Sequence, residues 1–281
     1  MRKLFIKNIV NGKLNNERKE ENEKIEAVVF DWAGTMIDYG CFAPLEAFLE
    51  VFKRHKVEIT IEEAREPMGM LKIEHIRALL KMPRIQREWK KAHGSKSTEQ
   101  DVAKLNDEFE SSLFCILEDF TTPIPGAVEL SERLRNRNIK IGSTTGYTKK
   151  MMEIVAPKAK EKGYSPDCYF TADDVKAGRP YPWMCYRNAM ELDVFPMNRI
   201  IKIGDTVTDM QEGKNAGMWT VGVILGSSEM GLSEEAEKNM DQKELKIKME
   251  EVRSRLEEAG ANFVVDRISD LDQVINQLEQ Q

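Results

Sequence analysis

Four short segments carry side chains suited to holding an anion beside a hard cation. In Ile25-Glu-Ala-Val-Val-Phe-Asp-Trp-Ala-Gly-Thr35, an apolar, β-branched run delivers Asp31 at its end, just ahead of a Gly-Thr turn. A carboxylate placed there can act as a nucleophile or a metal ligand, because open parallel sheets bind ligands beyond the carboxyl ends of their strands. Lys140-Ile-Gly-Ser-Thr-Thr-Gly-Tyr147 sets the hydroxyls of Ser143, Thr144 and Thr145 among glycines, whose backbone N–H groups can close on phosphate-like oxygens. Lys176-Ala-Gly-Arg-Pro-Tyr-Pro182 fixes Arg179 ahead of a proline, a rigid fork of donors for a dianion. Ile200-Ile-Lys-Ile-Gly-Asp-Thr-Val-Thr-Asp209 ends a second buried run in Asp205, with Asp209 a helical turn later, an oxygen donor pair of the kind Mg²⁺ takes. Alone, each segment also reads as a turn, a solvated loop or a helix cap.

The elements that must position these residues follow from periodicity. Ala27 to Phe30 is a continuous apolar run, the pattern of a strand covered on both faces. From Pro44 to about Glu118 the spacing turns helical. Leu45, Phe48, Leu49 and Phe52 recur at i, i+3, i+4, i+7, and further helices are expected at about Ile61–Glu66, Lys72–Met82, Ile85–Ala92 and Thr98–Leu117. Pro67, Pro83 and Gly94 punctuate them. After residues 121–126 the chain alternates. Helix Ala127–Asn136, strand Ile139–Ser143, helix Lys149–Lys162, strand Cys168–Phe170 and helix Pro182–Leu192 come first. Strand Ile200–Ile203, helix Asp209–Ala216, strand Trp219–Val223, a long charged helix Ser233–Ala259, strand Phe263–Val265 and helix Asp270–Gln277 complete it. Such alternation implies right-handed βαβ units and a parallel sheet with helices on both faces. The expected fold class is α/β: a Rossmann-like parallel sheet core over residues 25–40 and 122–281, with an inserted all-helical cap domain over residues 41–121. Residues 1–24 are expected to form an N-terminal extension of unassigned function, with a short strand at Leu4 to Val10.

Composition narrows the class of protein. At 281 residues, with 41% hydrophobic and 32% charged residues, the chain can bury a sizeable core and is too apolar for disorder. A net charge of −6 without a long basic block argues against nucleic acid, so a small anionic substrate needs a local positive site. Cys41, Cys115, Cys168 and Cys185 show no metal-ligand spacing and suit free thiols in a reducing cytoplasm. His55, His75 and His93 are too few for a histidine-built metal centre. No stretch reaches the roughly 20 apolar residues of a membrane span, and the N-terminal apolar run is too short for a secretory signal. The expectation is a cytoplasmic protein with no membrane partner.

Taken together, Asp31-x-x-Gly34-Thr35, Ser143-Thr-Thr-Gly146, the Arg179-Pro180 loop and Gly204-Asp205-x-x-x-Asp209 resemble, in order and spacing, the motifs of the haloacid dehalogenase superfamily. The resemblance spans nearly the whole chain from Ile25 onward. It implies that Asp31 attacks phosphorus and becomes an aspartyl phosphate. It further implies Mg²⁺ held by Asp31, Asp205 and the backbone carbonyl of Ala33, with Asp209 in support, and a phosphoryl group bound by Arg179 and the Ser143–Thr145 loop.

Most phosphatases of that superfamily carry a second Asp as general acid two residues after the nucleophile, where this chain has Ala33. Losing a positioned proton donor costs an ester hydrolase roughly 10²–10⁴-fold. A carbon leaving group has little use for the acid; an iminium between a lysine and an aldehyde β to phosphorus accepts the electrons instead. Composition singles out no lysine, since most Lys and Arg side chains are solvated. However, Asp31-Trp-Ala-Gly-Thr35, followed by Met68-Gly-Met-Leu-Lys-Ile-Glu-His75 and Met82-Pro-Arg-Ile85, is similar to the phosphonatase (phosphonoacetaldehyde hydrolase) family. That resemblance implies a small-molecule phosphonate substrate split into acetaldehyde and phosphate, with Lys72 forming the Schiff base. It also implies a homodimer through the cap helices, and Cys41, Met68, His75 and Tyr147 lining or tuning the site.

On the residues alone, Cys41 and Met68 also read as core packing and His75 as a helix-surface group. Lys72 and His75 share one face of a helix. To attack a carbonyl Lys72 must be neutral, and burial under a closing cap would lower its pKa from about 10.4. Two other readings stay open at this point: a phosphate-ester phosphatase or phosphomutase of the same superfamily, and a non-catalytic binding protein that keeps the fold.

Overall fold

Short, mostly buried runs build the sheet, wholly apolar over Ala27–Phe30 and rich in hydroxyls over Lys140–Thr145. In the computed structural model, which describes residues 24–68 and 70–280, they form β1 (Ala27–Phe30), β2 (Lys140–Thr145), β3 (Phe170–Thr171), β4 (Ile200–Gly204), β5 (Trp219–Val223) and β6 (Phe263–Val265). All pair in parallel, in the order β3-β2-β1-β4-β5-β6. The strand expected at Leu4 to Val10, and Gly69 of the Met-Gly-x-x-Lys motif, lie outside the described residues. The pleat of β1 divides the apolar packing. Val28 and Phe30 join a cluster with Ile141, Ile201 and Ile203, whereas Ala27 and Val29 pack with Cys185, Ala189 and Leu192 on the other face. Covered on both faces, β1 is apolar throughout and meets a polar side chain, Asp31, only past its end. Strand order reverses between β1 and β4, which opens a crevice beyond their carboxyl ends.

Five helices make up the segment inserted after β1: α1 (Phe42–Arg54), α2 (Ile61–Arg65), α3 (Lys72–Lys81), α4 (Pro83–His93) and α5 (Glu99–Ile116). Thr60 and Thr98 start α2 and α5 through reciprocal capping boxes with Glu63 and Asp101. Met82 both ends α3 and begins α4, with Pro83 in the first turn where its missing N–H costs nothing. Their apolar faces meet at Phe48, whose ring stacks on His75 at 3.9 Å and on Phe109 at 4.2 Å between centroids. This packing is continuous with the cluster under the sheet.

The remaining helices are α6 (Ala127–Asn136), α7 (Lys149–Glu161), α8 (Trp183–Glu191), α9 (Val207–Ala216), α10 (Glu234–Asn239), α11 (Gln242–Ala259) and α12 (Leu271–Leu278). Two expectations need correction. The long helix over 233–259 is two, because Met240 turns extended and the Asp241 carboxylate caps the N–H groups of Lys243 and Glu244. An aspartate competes for backbone donors and is worth more as a cap than inside a helix. The expected Ser-Thr-Thr loop is strand as far as Thr145, since Thr144 and Thr145 pair with Phe170 and Thr171, which also shifts β3 toward Thr171.

Phe48 is fully buried where the inserted helices join the common core. Phe48→Ala should lower unfolding free energy by about 3–5 kcal/mol, read from the denaturant midpoint. A loss under about 1 kcal/mol would show that these helices do not share the core.

Candidate active site

The two strands flanking the crevice each end in an acid. The Asp31 N–H donates to the Ile203 carbonyl at 2.9 Å, so the first carboxylate is pinned to the neighbouring strand. Gly34 turns the chain above it at φ +87°, and a Cβ there would lie 2.4 Å from Asp205 Oδ2; a side chain would displace the acid. Asp209 sits in the first turn of α9, its N–H bonded to Thr206 Oγ1 and its Oδ2 accepting from that hydroxyl at 2.5 Å. Asp31, Asp205 and Asp209 are all buried and offer carboxylate oxygens within 4.8 Å of one another.

Two buried cations hold this cluster. Arg179 Nη2 lies 2.5 Å from Asp31 Oδ1, its Nη1 3.0 Å from Asp209 Oδ1, and its Nε 3.0 Å from Glu212 Oε2. Lys202, fully buried on β4, reaches Asp209 at 2.6 Å and Glu212 at 3.5 Å. Burial opposes ionisation of Asp209, but Arg179 and Lys202 outweigh it and hold the carboxyl below its usual range. Asp205 has no ion pair among the described residues; it accepts from Thr35 Oγ1 at 3.2 Å and from Ser228 N and Oγ at 2.7 and 2.6 Å. Burial, then repulsion from Asp31 and Asp209, pushes its pKa well up. Burial likewise outweighs Arg179 at Asp31 and raises that carboxyl. Four carboxylates against two cations leave two negative charges when all are ionised. That deficit, with an all-oxygen donor set, suits a hard divalent cation.

Lys202 and Glu212 were not among the residues expected from sequence. A lysine inside the otherwise apolar Ile200–Ile203 run is a signal for Lys202, because such a position demands a buried partner. Glu212 follows Asp209 by one helical turn and shares its face.

The inserted helices close over the acids and leave a cavity of about 20 Å³. Asp31, Ala33, Thr145 and Arg179 line it from below, and Cys41, Met68, Lys72 and Tyr147 from above and beside. Lys72, 5% exposed, begins α3 with its Nζ 5.5 Å from the ring centre of Tyr147 and 6.0 Å from that of Phe48. No hydrogen bond or ion pair holds its amine among the described residues. Burial lowers its pKa, against the opposing pull of Cys41 and Asp31. The Cys41 thiol is itself pushed well up by burial.

Other expected residues are present but turned to different work. His75 is no helix-surface group: it is fully buried, stacked on Phe48, with Nε2 2.9 Å from the Ala64 carbonyl, which locks α3 onto α2 beside Lys72. Ser143 Oγ donates to the Phe30 carbonyl at 2.8 Å and ties β2 to β1. Thr144 Oγ1 bonds Glu212 at 3.0 Å and accepts from Arg179 at 2.7 Å, so of the three hydroxyl residues Thr145 is the one lining the cavity. A larger apolar groove of about 1150 Å³, beside Trp183, Met190 and Phe195, contains none of these residues.

Comparison with known proteins places this geometry in a family. Residues 25–217 match the family model described as a haloacid dehalogenase-like hydrolase. The chain is 60% identical over 258 residues to the phosphonoacetaldehyde hydrolase of Bacillus cereus (strain G9842), covering 92% of this chain and 98% of that protein. The phosphonoacetaldehyde hydrolase of Bacillus mycoides (strain KBAB4) is 61% identical over the same span. The crystal structure of a phosphonoacetaldehyde hydrolase-like protein from Oleispira antarctica superposes with a TM-score of 0.89 at 41% identity, covering 91% of this chain and 93% of that one. A β-phosphoglucomutase from Clostridium difficile, TM-score 0.64 at 19% identity, shares the fold. The chain belongs to the phosphonoacetaldehyde hydrolase family of enzymes, within the haloacid dehalogenase-like hydrolases.

Proposed function

We propose that this enzyme hydrolyses the C–P bond of phosphonoacetaldehyde, giving acetaldehyde and phosphate, with Lys72 and Asp31 as its two nucleophiles. The relatives' names supply the substrate. The observation that carries the mechanism is a buried, unpaired Lys72 amine lining the same small cavity as Asp31, with Ala33 where an ester hydrolase would need an acid.

The neutral Lys72 amine adds to the aldehyde carbon, and the adduct takes up one proton from solvent and loses water, leaving an iminium one carbon away from the C–P bond. Asp31 keeps Oδ1 on Arg179, which leaves Oδ2 to attack phosphorus. The C–P electrons pass to the iminium and give an enamine, so no proton is needed on the leaving carbon at that moment. Protonation at carbon and hydrolysis of the imine return Lys72 and release acetaldehyde. Water then cleaves the aspartyl phosphate and frees Asp31. Tyr147, Met68 and Cys41 keep the amine in an apolar setting, and His75 fixes the helix that carries it.

Asp31, Asp205 and the Ala33 carbonyl would hold Mg²⁺, with Asp209 in support; when bound, the ion supplies charge neutralisation for the carboxylates and the phosphonate. Arg179 and Thr145 face the phosphonate from the sheet side. A cavity of about 20 Å³ is near the volume of one water, so residues 41–121 act as a cap that opens for entry and closes for chemistry. We further propose a homodimer through the cap helices, working in the cytoplasm, where the buried thiols Cys41 and Cys185 stay reduced.

Three measurements test this reading. Borohydride reduction with phosphonoacetaldehyde present should leave an adduct on Lys72, absent in Lys72→Arg. Because burial lowers the pKa of Lys72, its amine is neutral at a pH where a solvated lysine is still ammonium. Trapping should therefore persist below the free-lysine value of about 10.4, and a midpoint at that value would refute the buried-amine mechanism. Asp31→Asn should keep the trapped adduct while phosphate release falls by roughly 10³-fold or more. Chelation of divalent ions should stop phosphate release, with Mg²⁺ restoring it in wild type but poorly in Asp205→Asn; full turnover in chelator would remove the metal from the scheme.

A further inference from the structure

Arg65 ends α2, immediately before the segment that carries Met68 and Lys72, and its carbonyl accepts the Met68 N–H at 2.9 Å. Its guanidinium reaches out of the cap. Nη1 donates to the Gly40 carbonyl at 2.8 Å and to the Ser228 carbonyl at 3.0 Å. Gly40 belongs to the connection running from the sheet into α1, and its own N–H donates to the Gly226 carbonyl at 2.7 Å. Ser228 gives both its N–H and its hydroxyl to Asp205 Oδ2. One side chain therefore joins the loop leading to Lys72, the connection between cap and sheet, and the loop that orients Asp205.

The surroundings are shaped for that side chain. The guanidinium carbon lies 5.0 Å from the centre of the Phe42 ring, a stacking contact that a lysine would not reproduce. Gly231, at φ +63°, passes so near that a Cβ would lie 3.0 Å from Arg65 Nε. No carboxylate pairs with Arg65 among the described residues, so its hold is two bonds to neutral carbonyls. Such a hold is strong enough to bias a closed form and weak enough to break in each cycle. With the cavity beneath near the size of one water, the form it fastens is the closed one.

We infer that Arg65 is a positioning residue, a latch that holds the cap closed and sets Lys72 and Asp205 in place together. Its kinetic consequence rests on the proposed phosphonoacetaldehyde hydrolysis; its structural consequence does not. Closure over the entered substrate is an equilibrium that tightens binding, so weakening the closed form lowers the apparent affinity in proportion.

The test uses the full-length enzyme with Mg²⁺ and the variants Arg65→Ala and Arg65→Lys, each checked for native far-UV circular dichroism. In Arg65→Ala, amide exchange should rise about tenfold or more in peptides spanning residues 38–45 and 224–232 together. The KM for phosphonoacetaldehyde should rise about tenfold, equivalent to about 1.4 kcal/mol, with kcat within about threefold of wild type. Arg65→Lys, which keeps a donor and loses the stacking, should fall between. Should Arg65→Ala misfold, the same two readouts on Arg65→Lys decide the matter at smaller amplitude. Wild-type exchange in either peptide sinks the latch. So does a fall in kcat at unchanged KM, the mark of a merely structural role. If the wild-type enzyme leaves phosphonoacetaldehyde intact, the functional reading fails, and the exchange measurement still decides the latch.

Discussion

Four carboxyl groups facing two cations, all buried where β1 and β4 end, govern the construction of this enzyme. Carboxylates are rarely taken out of water without partners, since desolvation of an ion costs several kcal/mol even after the protein relaxes. Here Arg179 and Lys202 neutralise half of the cluster and are themselves fully enclosed. What is left over concentrates on Asp205, whose bonds come from a threonine and a serine and not from a cation. Strand β1 thus stays apolar up to Phe30, Lys202 reaches its acids from within β4, and the carboxylates gather beyond the strand ends. With all four ionised, the excess would repel an approaching anion, and a divalent cation bound there would cancel it.

Two lysines show how environment sorts one side chain into opposite roles. Lys202 and Lys72 are both buried. At Lys202 burial disfavours the ammonium, but Asp209 and Glu212 outweigh it and hold the charge. Lys72 lies among aromatic and sulfur-bearing side chains with no carboxylate in contact, so burial prevails and the amine is drawn toward its neutral form. The first is a fixed counter-charge; the second is left as a buried amine without a counter-charge in contact.

The connection between the two halves is itself strained and charged. Asp38 and Cys41 adopt left-handed backbone at φ 54° and 53°, and the Asp38 carboxylate accepts the N–H groups of Phe42 and Ala43 to start α1. Burial raises the Asp38 pKa to about 7 despite those bonds. A left-handed, side-chain-capped turn of this kind survives when surrounding contacts over-determine it. Arg65 on Gly40 and Gly226 on the Gly40 N–H are such contacts.

Local sequence determined a good deal of this. An apolar run ending in an acid marks the end of its strand, so the places of Asp31 and Asp205 were legible, as were the helical periods of the inserted segment. The meaning of Ala33, by contrast, came from the resemblance to the superfamily and not from local pattern. Tertiary structure decided which groups those acids meet. Arg179 reaches Asp31 across 148 residues of chain, and no spacing along the sequence encodes that approach. The same holds for His75, which a helical period places on a face but which Phe48 and the Ala64 carbonyl make a buried strut. It holds for Ser143 and Thr144, whose hydroxyls strand pairing turns away from the cavity. Periodicity is a property of neighbours in the chain, whereas burial and charge partnership are set by residues that become neighbours when the chain folds.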